Sequence, residues 1–245
     1  MKALILAAGV GKRLHPFTED IPKCLLKVGE KSILEHLLDS ISSSKIKEVI
    51  LVVGFKKELI YKKIGDSYQG MIINYATNNF FDQTNNLYSL WCARHLIDDA
   101  FVQFIGDLIV NREIIKKVFN SHLEDAVVID SSPNNFVEDA NRIRLEKGRV
   151  ILLNKTISKE ESAGRAFGIY KFSKENAQEY CKSIELNIYK FKDGFETGLR
   201  PLLGNFFFQI IDINGLPYAE IDDMNDLDSA RKKIDYIINY GNFKS

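Results

Sequence analysis

The chain has 245 residues, with 33 lysines and arginines against 33 aspartates and glutamates, so its formal net charge is zero. Hydrophobic residues make up 45% and charged residues 27%, which is typical of a folded globular chain and argues against disorder. The lack of a basic excess argues against nucleic acid as a partner, and no apolar run approaches the ~18 residues of a membrane span.

Strands and helices alternate in the first half of the predicted secondary structure. Apolar residues 3–8 predict a buried strand that ends at a glycine, and hydrophobic residues at helical spacing over 34–41 predict an amphipathic helix. Further strands are predicted over 48–53, 71–75, 100–105 and 126–129, and further helices over 57–64, 86–95 and 112–122. This alternation predicts a parallel sheet with helices on its faces.

The second half has a different pattern, with shorter strands and closer turns. Strands are predicted over 142–145, 150–153, 167–172 and 218–221, with close turns at Gly148 and Gly164. Helices are predicted over 173–183 and 227–238. Because no linker or repeat interrupts the chain, we expect a single domain over residues 1–245.

The cysteines and the N-terminal residues indicate the cellular compartment in which the protein is expected. Cys24, Cys92 and Cys181 are odd in number and form no CxxC pair, which favours a reducing environment, and no histidines lie at zinc-site spacing. The short apolar run over 3–8 passes into glycines and cations and not into a cleavage site, so we do not interpret it as a signal peptide. A cytoplasmic location is therefore expected.

A glycine-containing segment follows the first predicted strand. Ala8, Gly9 and Gly11 leave backbone amides open to a ligand, and such amides can cradle phosphate oxygens. The segment matches neither the P-loop nor the dinucleotide fingerprint, since Arg13 follows Lys12 and Leu14 takes the third glycine position. Taken alone, the pattern leaves open an ordinary glycine turn with solvated lysines.

The whole segment Leu-Ala-Ala-Gly-x-Gly-x-Arg-Leu-x-Pro-x-Thr, followed by Pro22-Lys23-Cys24, resembles the nucleotidyltransferases that join a nucleoside triphosphate to a phosphorylated small molecule. The resemblance implies an α/β, Rossmann-like three-layer sandwich with a mixed, mainly parallel central sheet. It implies that Lys23 and Arg13 are catalytic and contact the triphosphate and the acceptor phosphate. The nucleotide-binding residues implied in this loop are Leu6, Ala8, Gly9, Gly11 and Lys12.

Carboxylates that could bind Mg²⁺ occur at two places. Asp107 follows the strand over 100–105, at the sheet edge where α/β proteins bind ligands. Glu220 and Asp222 are two residues apart and so project to one side of a strand, whereas Asp223 is expected to cap the next helix. The resemblance implies metal binding by Asp107 and then, in order of preference, by Asp222, Glu220 and Asp223. The alternative for Asp107 is a turn and helix cap.

Two further stretches resemble small bacterial cytidylyltransferases of the phosphocholine, aminoethylphosphonate and phosphoglutamine type. One is Asn-Asn-x-Tyr-Ser-Leu from Asn85, preceded by Asn78, and the other covers 160–173. Amide and hydroxyl groups can pair with the cytosine edge, and the residues implied are Asn78, Asn85, Asn86 and Ser89. A turn and helix cap remain the alternative for Asn85 and Asn86. The resemblance also implies that Lys155 lies near the phosphates.

These features predict a Mg²⁺-dependent cytidylyltransferase that joins CMP from CTP to a small phosphorylated or phosphonylated acceptor and releases pyrophosphate. Residues 1–130 would bind the nucleotide, and residues 131–245 would bind the acceptor and complete the metal site, in a monomer or homodimer. The expected role is decoration of a surface polysaccharide or polymer. A sugar-1-phosphate nucleotidyltransferase and a catalytically silent nucleotide-binding regulatory module are the alternatives.

The acceptor-binding residues are expected within 134–169, without assigned contacts. Glu138, Asp139, Glu160 and Glu161 could bind an amine, or could simply be solvated. A glycosyltransferase is disfavoured because Gly106-Asp107-Leu108-Ile109 contains no Asp-x-Asp motif.

Overall fold

The computed structural model describes residues 1–132 and 140–241 as a mixed sheet between helices. The strands are β1 (Lys2–Ala7), β2 (Lys27–Val28), β3 (Lys31–Ser32), β4 (Glu48–Val53), β5 (Ser67–Tyr68), β6 (Met71–Thr77), β7 (Phe101–Ile105), β8 (Leu108–Val110), β9 (Ala126–Asp130), β10 (Arg142–Glu146), β11 (Arg149–Asn154), β12 (Gly164–Phe172), β13 (Gln209–Asp212) and β14 (Tyr218–Glu220). The helices are α1 (Ile33–Ser42), α2 (Lys57–Ile64), α3 (Asn86–Ala93), α4 (Arg112–Asn120), α5 (Lys174–Leu186), α6 (Glu196–Asn205) and α7 (Met224–Asn239).

Parallel strands form the centre of the large sheet, and antiparallel strands extend it. The central order is β6-β4-β1-β7, in which each neighbouring pair is parallel. Strand β12 then pairs antiparallel with β7 and also with β9 and β10, while β13 is parallel to β9. The predicted fold class, α/β with a mixed and mainly parallel central sheet, is confirmed.

Alternating residues of the central strands divide the core between two faces. Ile5 and Leu51 pack with helices α1, α2 and α4, whereas Leu4 and Ile50 pack with α3, α5 and α6. This is the period of two that a strand imposes on its side chains. A third, smaller cluster lies under α7 and includes Leu14 and Ile221. Helix α7 thereby fixes the position of the chain around residues 14 and 221.

The predicted elements are confirmed within a few residues at their ends, with one correction and several additions. Gly164 was expected in a close turn but opens β12, where a Cβ would lie 2.9 Å from the Asp130 carbonyl oxygen. The glycine therefore serves a close strand–strand approach. The sequence pattern missed the short strands β2, β3, β5, β8 and β13 and the helix α6.

A small two-stranded sheet brings the C-terminal region to the end of the central strands. Strand β14 pairs antiparallel with β8, placing Glu220 opposite Leu108. The Ile221 amide donates to the Asp107 carbonyl at 3.1 Å. Residues about 115 positions apart in the chain thus become neighbours at the carboxyl end of β7. Within the described residues, no helix is long and apolar enough to cross a bilayer.

Candidate active site

The glycine loop after β1 borders a cavity of about 270 Å³. Gly11 has φ of 75°, a left-handed conformation that costs residues with a Cβ roughly 1–2 kcal/mol. A Cβ at Gly11 would also lie 2.8 Å from Cβ of Lys23, so the glycine makes room for that lysine. The buried Thr18 hydroxyl donates to the Gly11 carbonyl at 2.8 Å and holds the loop from behind.

Lys23 joins the two carboxylates that the sequence analysis singled out. Its Nζ donates to Oδ2 of Asp107 at 2.7 Å and to Oδ1 of Asp222 at 2.9 Å. Arg13 places Nη2 at 2.9 Å from the same Asp222 oxygen. Four predicted residues, Arg13, Lys23, Asp107 and Asp222, therefore lie together on one side of the cavity.

For Lys23 and Asp222, the neighbouring opposite charges together shift the pKa more than burial does. Burial by itself lowers the pKa of Lys23, but the carboxylates of Asp107 and Asp222 raise it above its ordinary value. Burial likewise acts to raise the pKa of Asp222, and Lys23 and Arg13 bring it below its ordinary value. Near neutrality the cavity therefore holds fixed charges of both signs.

The donor set at Asp107 and Asp222 fits a magnesium ion. Oδ1 of Asp107 is buried and has no hydrogen-bond partner among the described residues, so it is an open carboxylate ligand. Mg²⁺ at phosphate-handling sites is commonly bound by one or two carboxylates, with waters and substrate phosphates as the other ligands. In the described part of the chain, no group of three or more His, Cys, Asp or Glu side chains is arranged to hold a metal. Asp107 and Asp222 are the carboxylates of the described residues that border this cavity.

Glu220 is directed toward Arg165 and forms a short ion pair with its Nη2. Burial, together with the neighbouring Asp107 carboxylate, raises the pKa of Glu220 to about 7. Asp223 has a different task, since its side chain accepts from the amides of Asn225 and Asp226 and caps α7. The expected capping role of Asp223 is confirmed, and metal binding by Glu220 stays a prediction.

The four residues predicted to contact the base occupy two environments. Asn78 is buried and donates through Nδ2 to the hydroxyls of Thr84 at 3.0 Å and Ser89 at 3.1 Å. Asn78 and Ser89 are absent from the linings of both cavities described here, whereas Asn85 and Asn86 border the larger one. The Asn85 side chain also accepts from the Asn86 amide at the start of α3, as expected of a cap. Base contact by any of the four stays a prediction.

A larger cavity of about 840 Å³ adjoins the first and shares Arg13, Asn86, Asp107 and Asp222 with it. The predicted Lys155 lies on its wall. Sequence reasoning did not identify other side chains there: Asn141, Arg165, Tyr170, Glu196 and Tyr218. Arg165 and Tyr170 lie on β12, Tyr218 on β14 and Glu196 on α6, and Asn141 directly precedes β10.

Of the four acids considered as amine ligands, the two that the structure describes do not border that cavity. Glu138 and Asp139 lie outside the described residues. Glu160 and Glu161 are exposed, and an oxygen of Glu161 lies 3.8 Å from Nη1 of Arg144. Within the described ranges, Lys155 is therefore the only residue singled out between 134 and 169 that borders the larger cavity.

The chain is similar in sequence to a known family and to characterised proteins. A sequence model of the family described as "Nucleotidyl transferase" matches residues 2–177. The CTP:phosphoglutamine cytidylyltransferase of Campylobacter jejuni is 27% identical, with 95% of this chain and 100% of the relative covered. A UTP–glucose-1-phosphate uridylyltransferase of Haloferax volcanii is 36% identical over 127 residues, which cover 52% of this chain and 48% of the relative.

Among solved structures, the inositol-1-phosphate CTP transferase from T. maritima superposes with a TM-score of 0.78. The two chains share 18% identity, and the superposition covers 97% of each. At that identity the likeness shows the fold, which is the one described above.

Proposed function

This chain belongs to the nucleotidyl transferase family, and from that premise we propose that it is a cytidylyltransferase acting on CTP and a small phosphorylated or phosphonylated acceptor. The observation that carries the proposal is the bridge of Lys23 between Asp107 and Asp222 beside the glycine loop. It unites a cation for phosphate oxygens with two carboxylates for a metal. The relative that aligns along its whole length is a cytidylyltransferase, which supports CTP as the nucleotide.

In the proposed reaction, an acceptor phosphate or phosphonate oxygen attacks the α-phosphorus of CTP and pyrophosphate leaves in line. A phosphomonoester has a second pKa of ~6, so this oxygen is largely deprotonated near neutrality and needs no strong general base. The chain's part is to position the two anions and to balance their charge. The backbone amides near Gly9 and Gly11, with Lys12, would receive the triphosphate.

Lys23 and Arg13 would bind the reacting anions from the side of the cavity on which Asp107 and Asp222 lie. In the free protein both are paired with Asp222, so binding of an anion exchanges one partner for another. Asp107 and Asp222 would hold Mg²⁺, with Glu220 as a further candidate, and the ion would neutralise charge on the phosphate oxygens when bound. Lys155 would serve the acceptor phosphate from the wall of the larger cavity.

The remaining parts of the proposal concern the wider setting. Residues 1–130 would bind the nucleotide, with Asn78, Asn85, Asn86 and Ser89 near the base, and residues 131–245 would bind the acceptor. We place the reaction in the cytoplasm, consistent with three free cysteines, with a monomer or homodimer as the working unit. The product would serve the decoration of a surface polysaccharide or polymer.

A panel of nucleotides tests the proposal. CTP, UTP, dTTP and GTP are each incubated with Mg²⁺ and with phosphocholine, 2-aminoethylphosphonate, inositol 1-phosphate or glucose 1-phosphate, and pyrophosphate release is measured. We expect release with CTP and at least one non-sugar acceptor. Preference for another nucleotide with glucose 1-phosphate would favour the sugar-1-phosphate alternative. Nucleotide binding without release on any acceptor would favour the silent module.

A further inference from the structure

One carboxylate in the larger cavity has no part in the function proposed above. Glu196 opens α6 and lines the cavity beside Phe195, which is buried. Its Oε1 accepts a hydrogen bond from Nδ2 of Asn141 at 2.8 Å. Within residues 1–132 and 140–241, no lysine or arginine forms an ion pair with it. Burial raises the pKa of Glu196 above its ordinary value and outweighs the charges of Arg200 and Lys155, which act in the opposite direction without forming an ion pair with it.

The other acids on the cavity wall have partners of their own. Asp107 and Asp222 are held by Lys23, and Glu220 is held by Arg165. Asp223 and Asp226 accept from backbone amides in the capping box of α7. Glu196 therefore differs from Asp107, Asp222 and Glu220 in having a neutral amide and no ion-pair partner among the described residues. A carboxylate that is withdrawn from water without an ion pair is costly, and a cation from the ligand would offset that cost.

Gly194 and Asn141 flank the Glu196 carboxylate. A Cβ at Gly194 would lie 2.2 Å from Oε2 of Glu196, so the carboxylate takes its present position over a residue that has no side chain. Asn141 holds the other oxygen. Next to it, the rings of Tyr170 and Phe195 meet edge to face with centroids 5.0 Å apart, and both rings line the cavity. A fixed carboxylate beside aromatic rings suits an ammonium group and the carbons that it carries.

We propose that Glu196 is the specificity-determining residue of the acceptor site and that the acceptor carries an amino or quaternary ammonium group in addition to its phosphate or phosphonate. This inference rests on the proposed function, because it concerns the second substrate of the same reaction. Arg13, Arg165 and Lys155 border the same cavity and supply positive charge for the anionic group of such a molecule. The cavity thus offers complementary charge to both groups of a zwitterionic acceptor.

The experiment compares acceptors of one shape that differ only in charge. Phosphocholine is paired with 3,3-dimethylbutyl phosphate, and phosphoethanolamine with propyl phosphate, each with CTP and Mg²⁺. For the wild type we expect kcat/KM to be at least about tenfold higher for the cationic member of one pair. In Glu196→Gln the preference should fall below about threefold through a higher KM for the cationic acceptor, with the KM for CTP unchanged.

A second variant moves the carboxylate without removing it. Gly194→Ala should displace the Glu196 carboxylate and weaken the same preference, whereas Gly204→Ala, on α6 with open space around it, should leave the preference unchanged. Glu179→Gln, an exposed acid paired with Lys182 on α5, controls for the loss of one negative charge. Circular dichroism and thermal unfolding verify that each variant is folded.

The outcomes separate this inference from the proposed function. Equal use of the cationic and neutral members by the wild type overturns the role of Glu196, as does an unchanged preference in folded Glu196→Gln. Transfer to inositol 1-phosphate or glucose 1-phosphate, with none to the cationic acceptors, overturns it while leaving cytidylyl transfer in place. Absence of pyrophosphate release with every acceptor contradicts the proposed function itself, and the inference with it.

Discussion

Lys23 is the side chain on which the charge balance of the glycine-loop cavity depends. It lies between two carboxylates that would otherwise face each other at short range, and its own side chain is only 15% exposed. A buried ion pair need not stabilise a fold relative to apolar residues, but removal of one partner leaves a charge without compensation. Lys23 is therefore expected to matter for stability as well as for binding.

Replacing Lys23 with methionine should separate these two effects. We expect Lys23→Met to lower the free energy of unfolding by about 3 kcal/mol in the absence of metal, because Asp107 and Asp222 lose their shared cation. Mg²⁺ should then raise the melting temperature more in the variant than in the wild type, since it can take the place of the lysine. Differential scanning calorimetry with and without Mg²⁺ measures both.

The control for this variant is Lys31→Met. This change removes the lysine that pairs with the buried Asp39, and neither residue borders the glycine-loop cavity. Its melting temperature should respond to Mg²⁺ as the wild type does. An equal Mg²⁺ response in Lys23→Met and Lys31→Met would contradict the assignment of Asp107 and Asp222 as metal ligands.

Gly11 allows a second prediction at the same scale. Gly11→Ala and Gly148→Ala both place alanine in a left-handed conformation, at φ of 75° and 77°, and each should cost about 1–2 kcal/mol of stability. Only at Gly11 does the new Cβ meet another residue, Lys23, at 2.8 Å. Steady-state pyrophosphate release should fall at least about tenfold in Gly11→Ala alone. Matching rates in the two variants would show that the approach of Lys23 to Gly11 is unimportant.

Single residues were predictable where a motif or a strand end marked them. Lys23 and Arg13 belong to a motif of some twenty residues, and Asp107 follows an apolar strand in the chain. Glu196 lies in no such motif, and Arg165 was not singled out within the stretch 160–173, because their partners, Asn141 and Glu220, are more than 50 positions away. Burial and ion pairing of this kind arise only in the folded chain.

At the scale of elements, the short strands β8 and β14 and the start of α7 carry Asp222 to Asp107. The register of β14 on β8 places Glu220 opposite Leu108, and the capping box of α7 fixes the turn that follows. In that box, the carboxylate of Asp226 accepts from the amide of Asp222 at 2.9 Å. The helix cap and Asp222, which we propose as a metal ligand, are thus parts of one turn.

Loss of the N-cap of α7 should therefore reduce activity as well as stability. Asp223→Ala should cost about 1 kcal/mol of stability through the lost N-cap. It should also lower kcat/KM for CTP at least about tenfold, because Asp222 loses its fixed backbone. Ser173→Ala removes the N-cap of α5, on another face of the sheet, and should cost as much stability without changing kcat/KM. Equal kinetics in the two variants would mean that the α7 cap does not position Asp222.

Elements with strong periodicity were predicted well, whereas several short strands were missed. Strand β4 and helix α2 have the predicted bounds, since a β-branched run and a helical pattern each ended at a glycine. Strand β14 was predicted over 218–221, but its partner β8, which has three residues, was missed. Three residues carry too little pattern to mark β8 as a separate strand before its pairing with β14 is known.

For the molecule as a whole, the two halves of the chain share one sheet. Strand β12 from the second half pairs with β7 from the first, and Phe172 stacks on Phe101 with ring centroids 4.8 Å apart. Both rings are fully buried. The division into a nucleotide half and an acceptor half is therefore proposed as a division of binding roles within one cooperative body.

Equilibrium unfolding tests that statement. The sole tryptophan, Trp91, lies on α3 in the first half, whereas far-ultraviolet circular dichroism reports on all the helices. We expect the urea transitions followed by tryptophan fluorescence and by circular dichroism to coincide, because β7 and β12 cannot separate without exposing the shared core. Two separated transitions would indicate independent domains.

The zero net charge conceals a site of strongly opposed charges. Lys23 and Arg13 lie near the start of the sequence, whereas Asp107 lies near its middle and Asp222 near its end. Composition argued against nucleic acid as a partner, but it could not reveal a cavity lined by charges of both signs. That cavity results from the topology, which brings the glycine loop, the end of β7 and the start of α7 together.

In the proposed reaction, an oxygen of the acceptor phosphate attacks the α-phosphorus of CTP. An acceptor whose phosphate oxygens are labelled with oxygen-18 tests this attack, with the products followed by ³¹P NMR. We predict unlabelled pyrophosphate and an equal amount of a CMP-linked product that carries oxygen-18 in the bridge between its two phosphorus atoms. Label in the pyrophosphate, or consumption of CTP without a linked product, would contradict attack by the acceptor oxygen.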